Sequence, residues 1–179
     1  WLPSRFSSID ILVNCAGVNI LSQFEFAEEA FTKCMDVNAY GILNVTSALL
    51  KRLERGTVCN IISDAAVRPM TYSMPYCASK AAALMMTKQM ARELKKTHDI
   101  TVFSVSPNRM RGTNMSIDVD MQVAKLRGWS PETVALKQRE ALAAQDETDP
   151  KAVAEFVAFL LSEKRRHIHL NGCDMTYGC

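Results

Sequence analysis

In the stretch SDAAVRPMTYSMPYCASK, residues 63 to 80, a tyrosine follows a proline and precedes a lysine by four positions, with a serine thirteen residues upstream. Pro75 suits the first turn of a helix, which places Tyr76 and Lys80 one turn apart on one face, so that their polar ends converge. A free tyrosine titrates near ~10, and a lysine ammonium within reach favours the phenolate, typically by ~1 to 3 units. The positive potential of the helix N-terminus acts in the same direction. Tyr76 is therefore a candidate general acid or base for an alcohol or ketone oxygen, and Ser63 a second donor to that oxygen. Taken alone, the pair fits equally a tyrosine packed at a helix start beside a solvated lysine.

Three short apolar runs could position these groups: IDILVN at 9 to 14, TVCNIIS at 57 to 63 and ITVFSVS at 100 to 106. Each is β-branched and unalternating, which suits strands buried on both faces of a parallel sheet. Between them a helical stretch from Ala27 to Arg55 carries Phe31, Met35, Ile42, Val45 and Leu49 at helical spacing, and a second runs from Pro75 to Thr97. Strands alternating with helices predict an α/β fold. Each strand ends in a small polar residue, Asn14, Ser63 or Ser106, where open α/β sheets bind ligands. Residues 108 to 130 show little periodicity and read as a mobile loop with short helical pieces, a lid candidate. Two helices follow, one from Pro131 toward Gln145 and one from Pro150 with Val153, Phe156, Val157, Leu160 and Leu161 inward. The tail CDMTYGC predicts a last strand.

With 179 residues, 48% of them hydrophobic, the chain has the size of one domain, 1 to 179. Its charge of +2 is the balance of 21 basic and 19 acidic residues. The one cluster, Lys164 to Arg166, reads as a solvated face, which argues against a nucleic-acid partner. No apolar run reaches membrane-span length and no leader pattern opens the chain, so a cytoplasmic protein without a membrane partner is expected. Six cysteines without a CxxC fit reduced thiols. His167 and His169 could share one side of a strand, but no carboxylate or cysteine stands at ligand spacing, and no metal is expected.

The stretch from Ser63 to Lys80 resembles the active-site segment of the short-chain dehydrogenase/reductase family, whose members carry Tyr-x-x-x-Lys with a serine at about this distance. NCAG (Asn14 to Gly17) resembles the family's NNAG turn, Asn38 in DVNAYG its helix asparagine, SPNRMRGT (Ser106 to Thr113) the stretch that lines the nicotinamide, and GCDMTYG its terminal strand. These matches run in family order over nearly the whole chain. The resemblance implies a doubly wound, Rossmann-like parallel sheet and NAD or NADP as cofactor. It implies that Tyr76 exchanges the proton at the reacting oxygen, that Ser63 orients that oxygen, and that Lys80 binds the nicotinamide ribose while lowering the tyrosine pKa. Asn38, at a local helix distortion, would hold a water linking Lys80 to solvent. Asn14, Ala16 and Gly17 would line the cofactor, with Pro107, Met110 and Thr113 near its carboxamide.

Some features depart from the family pattern. Asn108 stands where the family usually has glycine, a place where asparagine's tolerance of left-handed backbone would preserve the turn. Thr113 is one residue late, and Cys15 replaces an asparagine. No glycine-rich turn for a pyrophosphate occurs, and WLPSRFSSIDILVN resembles a helix end leading into the family's fourth strand. The resemblance thus implies a fold truncated at its N-terminus, with NAD or NADP selection in the unmatched part. The segment alone is expected to be inactive and poorly soluble, with strand 9 to 14 at the sheet edge. The function expected of the longer protein is hydride transfer between nicotinamide and a small alcohol or ketone, with substrate choice in residues 114 to 149. Alternatives are reduction of a 3-oxoacyl thioester and a non-catalytic interaction module. Apolar residues around the two long helices (Leu43, Val45, Leu49 and Leu50; Leu84, Met85, Met86 and Met90) predict self-association through a four-helix contact between two subunits, and the family resemblance implies a homotetramer.

Overall fold

The computed structural model describes residues 7–53, 55–142, 146–163 and 168–178. Four parallel strands, β1 (Ile11–Asn14), β2 (Thr57–Ile61), β3 (Thr101–Pro107) and β4 (Asp174–Tyr177), lie side by side in chain order. The α/β fold and its strands are as the sequence predicts, with ends shifted by one or two residues. Central β2 and β3 are buried, as their unbroken apolar runs require. β1 is an edge strand, so the expectation of burial on both faces fails there: Ile11 and Val13 are 46% and 41% exposed.

Side chains alternate between the two faces of the sheet. Val58 and Val102 pack with Ala91, Met90 and Leu94 of α3 (Met74–His98) and with Leu49 at the end of α2 (Gly41–Leu49). Cys59, Phe103 and Val105 pack with Phe156, Val157 and Leu160 of α6 (Pro150–Leu161). Phe103 is fully buried, a contribution of about 1.5 to 3 kcal/mol. Leu49, Leu50, Leu84 and Met90 belong to this interior, which leaves Leu43, Val45 and Met85 as the markedly exposed members of the apolar set on these helices.

The single helix expected from Ala27 to Arg55 is instead α1 (Glu28–Met35), one π-helical turn (Asp36–Tyr40), α2 and a 3-10 turn (Leu50–Arg52). The extra residue per turn falls where Asn38 leaves the helix surface to bond groups outside it, a common cause of such bulges. Gly56 closes the turn into β2, where a Cβ would stand 2.7 Å from the Leu53 carbonyl and 3.0 Å from that of Ile9.

Residues 108 to 130 are better ordered than the sequence suggests, because α4 (Asn114–Arg127) is one continuous helix. Thr113 caps its start by accepting from the Ser116 N–H, and Gly128, at φ 65°, ends it. Helix α5 (Pro131–Glu140) is capped by Ser130 and stops short of Gln145, which itself lies outside the described residues. Lys164 to Arg166, His167 and Cys179 also lie outside them. His169 is exposed and belongs to no strand; among the described residues no cluster could hold a metal, five cysteines are free thiols, and no helix is long and apolar enough to cross a membrane.

Candidate active site

Pro75 opens α3, and the 25-residue helix carries Tyr76 and Lys80 in its first two turns, both buried. The Lys80 ammonium lies 5.8 Å from the centre of the Tyr76 ring and donates to the Ile61 carbonyl at 3.1 Å, at the carboxyl end of β2. Ser63, two residues beyond that strand, begins the 3-10 turn Asp64–Ala66; its hydroxyl accepts from the Ala65 N–H at 3.2 Å and donates to Asp64 Oδ1 at 3.2 Å. Ser63, Tyr76 and Lys80, far apart in the chain pattern, thus meet at one strand end.

Their electrostatics differ from the expectation that the lysine lowers the tyrosine pKa. Burial pushes the Tyr76 phenol up to about 12; Ser63 draws it back, and Asp64, Cys77 and Cys34 add to the rise. Burial likewise lowers Lys80 to about 8, with Cys15 and Cys34 opposing. Desolvation governs both shifts because both groups are buried, and the ammonium is turned to a carbonyl.

Asn38 reaches from the π-turn across the cleft. Its Oδ1 accepts from the Val18 N–H at 2.8 Å, and its Nδ2 donates to the Val18 carbonyl at 2.9 Å and to Ser79 Oγ at 2.9 Å. Ser79 in turn donates to the Tyr76 carbonyl at 2.7 Å, so one chain of hydrogen bonds joins the turn after β1 to the helix bearing Tyr76 and Lys80. Gly17 lies inside this ring: a Cβ there would be 3.4 Å from Asn38 Oδ1 and 3.6 Å from Lys80 Nζ and from Met115 of α4.

The remaining predicted residues divide. Asn14 donates to Asn60 Oδ1 at 2.8 Å and Thr46 Oγ1 at 3.3 Å, so its amide serves the sheet as well as the strand end. Ala16 precedes Gly17 in the same turn. Pro107 ends β3 beside Tyr177, and Met110 forms a bridge with Thr148. The Thr113 hydroxyl is engaged by its helix cap. Asn108 is not in the left-handed region, contrary to expectation; its side chain donates to the Gly178 carbonyl at 2.6 Å and accepts from Thr148 Oγ1, tying β3 to β4 and to the 146–148 segment.

Several partners in this arrangement carried no local signal. Asn14, Asn60, Ser104 and Asp174 occupy one row across all four strands. Asn60 donates to Thr87 of α3 at 2.9 Å, and Ser104 and Ser106 donate to Asp174 Oδ1 at 2.6 and 2.7 Å. Polar residues interrupting buried strands were the available clue, since each needs a partner.

The residues fit a nicotinamide cofactor. Lys80 Nζ has one hydrogen-bond acceptor among the described residues, which leaves two N–H groups for a ribose diol, and the side-chain-free backbone of Gly17 lies beside them, a Cβ there standing 3.6 Å from Nζ. A parallel α/β sheet with a buried serine, tyrosine and lysine gathered at one strand end is a Rossmann-like fold with its polar site where such sheets bind ligands.

Residues 1–124 match the sequence profile described as short chain dehydrogenase, and the chain belongs to that family. It is 32% identical to a galactitol 2-dehydrogenase of Agrobacterium fabrum over 73% of this chain and 52% of that protein. It is 30% identical to the 3-oxoacyl-[acyl-carrier-protein] reductase FabG of Vibrio cholerae, over 96% of this chain and 68% of that one. The crystal structure of an actinorhodin polyketide ketoreductase with NADPH matches at a TM-score of 0.84 and 27% identity, covering 96% of this chain and 67% of that one. The chain spans about half to two thirds of the length of the curated relatives it matches.

Proposed function

We propose that this chain is the catalytic portion of an NAD(P)-dependent oxidoreductase acting on a small alcohol or ketone. The meeting of Ser63, Tyr76 and Lys80 beside the bare backbone of Gly17, where a side chain would touch Asn38 and Lys80, carries this reading. The bound nicotinamide supplies or accepts the hydride. Ser63 donates a hydrogen bond to the substrate oxygen, and Tyr76 exchanges the proton there. A phenol raised to about 12 is protonated at neutral pH, so Tyr76 holds the proton that a carbonyl oxygen takes up on reduction. Lys80, still largely protonated at neutral pH, holds the ribose hydroxyls. Asn38 fixes the Gly17–Val18 turn, and the second acceptor site of its Oδ1 can take a water. Asn14, Ala16, Gly17, Pro107 and Met110 line the cofactor side.

The family's relatives include both polyol dehydrogenases and 3-oxoacyl reductases, and alignment of the latter over 96% of this chain favours a thioester as second reading. The test is NADH and NADPH oxidation by the complete protein against sugars, simple ketones and acetoacetyl thioesters, with Tyr76→Phe as control. Turnover that survives in Tyr76→Phe would remove the tyrosine from this role. Exposed Leu43, Val45 and Met85 support assembly into a homo-oligomer, tested by sedimentation of the protein and of Val45→Glu.

A further inference from the structure

An amide side chain offers one acceptor and two donors, so it can pair with backbone as a strand does. Gln122, in the middle of α4, uses all of them. Its Oε1 accepts from the Leu21 N–H at 2.8 Å, and its Nε2 donates to the Asn19 carbonyl at 3.1 Å and to Asp118 Oδ2 at 2.8 Å. The Asp118 carboxylate, one turn earlier, can only accept, which fixes the amide with its nitrogen toward Asn19 and its oxygen toward Leu21. The loop it grips is the continuation of the Gly17 turn. Asn38 holds that loop at Val18 from one side, and the Tyr72 carbonyl holds it at the Ser22 N–H, at 2.9 Å, from another. Tyr72 also carries the guanidinium of Arg127, 4.8 Å from its ring, at the far end of α4; Trp129 lies on the same guanidinium at 5.1 Å. Met115, at the near end, approaches Gly17.

We infer that Gln122 is a positioning residue that locks α4 onto the loop after β1, so that the wall facing the substrate and the turn facing the cofactor are set by one contact. This rests on the oxidoreductase reading above. The contact spans more than a hundred residues of sequence. Gln122 does not touch the reacting atoms; its effect on them is through the loop and the helix.

The experiment uses Gln122→Ala, which removes the grip, and Gln122→Glu, which keeps length and shape but at neutral pH has no proton for the Asn19 carbonyl and faces Asp118 with like charge. In Gln122→Ala the Leu21 amide should exchange with solvent at least about tenfold faster, whereas Gln122→Glu keeps an acceptor for that amide and loses the contact to the Asn19 carbonyl; in both variants KM for the carbonyl substrate should rise about tenfold with kcat within about twofold. A Leu21 amide as protected in Gln122→Ala as in the parent would overturn the lock. A fall in kcat at constant KM would overturn substrate positioning. Absence of turnover in the parent would sink the proposed activity, and the exchange measurement would then decide the Gln122 contact alone.

Discussion

Around Tyr76 the fold is held by neutral groups: the Asn38 amide on Val18 and Ser79, the Ser79 hydroxyl on Tyr76, and Asn14 on Asn60 and Thr87 beyond it. On the outer side of α4 the corresponding work is done by charge. Arg109, its side chain 15% exposed, holds Asp120 Oδ2 at 2.7 Å, binds Glu147 and donates to the Ser116 carbonyl at 3.1 Å. Buried neutral networks are nearly blind to salt and lose heavily when one member is removed; partly exposed ion pairs respond to salt, and their net worth is attraction less the cost of desolvating both charges. The cleft thus has one rigid wall, where proton chemistry needs fixed geometry, and one wall whose tightness varies with conditions.

The largest effect should come from the rigid wall itself. Tyr76→Phe fills the same volume without the proton, and turnover in the complete protein should fall by at least about 10²-fold while the fold persists. Asn38→Ala comes next: it strands the Val18 N–H and carbonyl and removes the donor to the Ser79 hydroxyl, which keeps its bond to the Tyr76 carbonyl, at a cost of about 3 kcal/mol in urea denaturation. A loss below about 1 kcal/mol would mean that water replaces the amide at that site and the wall is not rigid in the sense argued.

Lys80 sharpens the contrast through pH. It titrates near 8 in the folded chain against an ordinary 10.5, so between those values the unfolded chain binds the extra proton and stability rises with pH, by at most about 1.4 kcal/mol per unit. Tyr76 acts oppositely, because its folded value of about 12 lies above 10: its contribution is complete below pH 10 and is lost as pH climbs toward 12. Relative to Lys80→Met the protein should gain stability from pH 8 to about 10.5, while in both proteins the raised Cys59, Cys34 and Cys77 thiols and Tyr76 take stability away as the solution becomes more alkaline. Denaturant midpoints across this range, taken on both proteins so that shared thiol titrations cancel, check the sign. A rise that persists in Lys80→Met would assign it elsewhere.

How far the site could be read in the sequence follows from how local each contact is. Tyr76 and Lys80 are four residues apart in one helix, and their meeting needs only helical geometry. The strands were legible because β2 and β3 are buried runs of β-branched residues. Ser79, Asn60 and Gln122 were not, since their partners lie 41, 27 and more than 100 residues away and nothing nearby marks them as paired. Helix α4 escaped notice for another reason: only Ser116 and Val119 are buried along it, too few to impose a period, so its caps at Thr113 and Gly128 were the sole local sign. The π-turn at Asn38 was anticipated through family resemblance; from propensity alone a mid-helix asparagine indicates only that something must accept and donate to it.

The smallest effect, and the one that separates the two walls most directly, is expected at Asp120. One of its oxygens, Oδ1, is buried without a hydrogen-bond partner among the described residues, and burial raises its pKa, with Glu147 adding to the rise and Arg109 opposing it. The carboxylate is therefore held at a cost that its ion pair with Arg109 only partly offsets. Asp120→Asn keeps the size, retains an acceptor for the Arg109 guanidinium and removes the charge that Glu147 repels. Its stability should lie within about 1 kcal/mol of the parent, against about 3 kcal/mol for Asn38→Ala, which deletes the amide outright. The difference between the parent and Asp120→Asn should shrink further as sodium chloride is raised toward 1 M, where the Debye length is about 3 Å, while the Asn38→Ala deficit stays constant. Equal losses at the two positions, or equal responses to salt, would show that both walls are held by the same kind of contact.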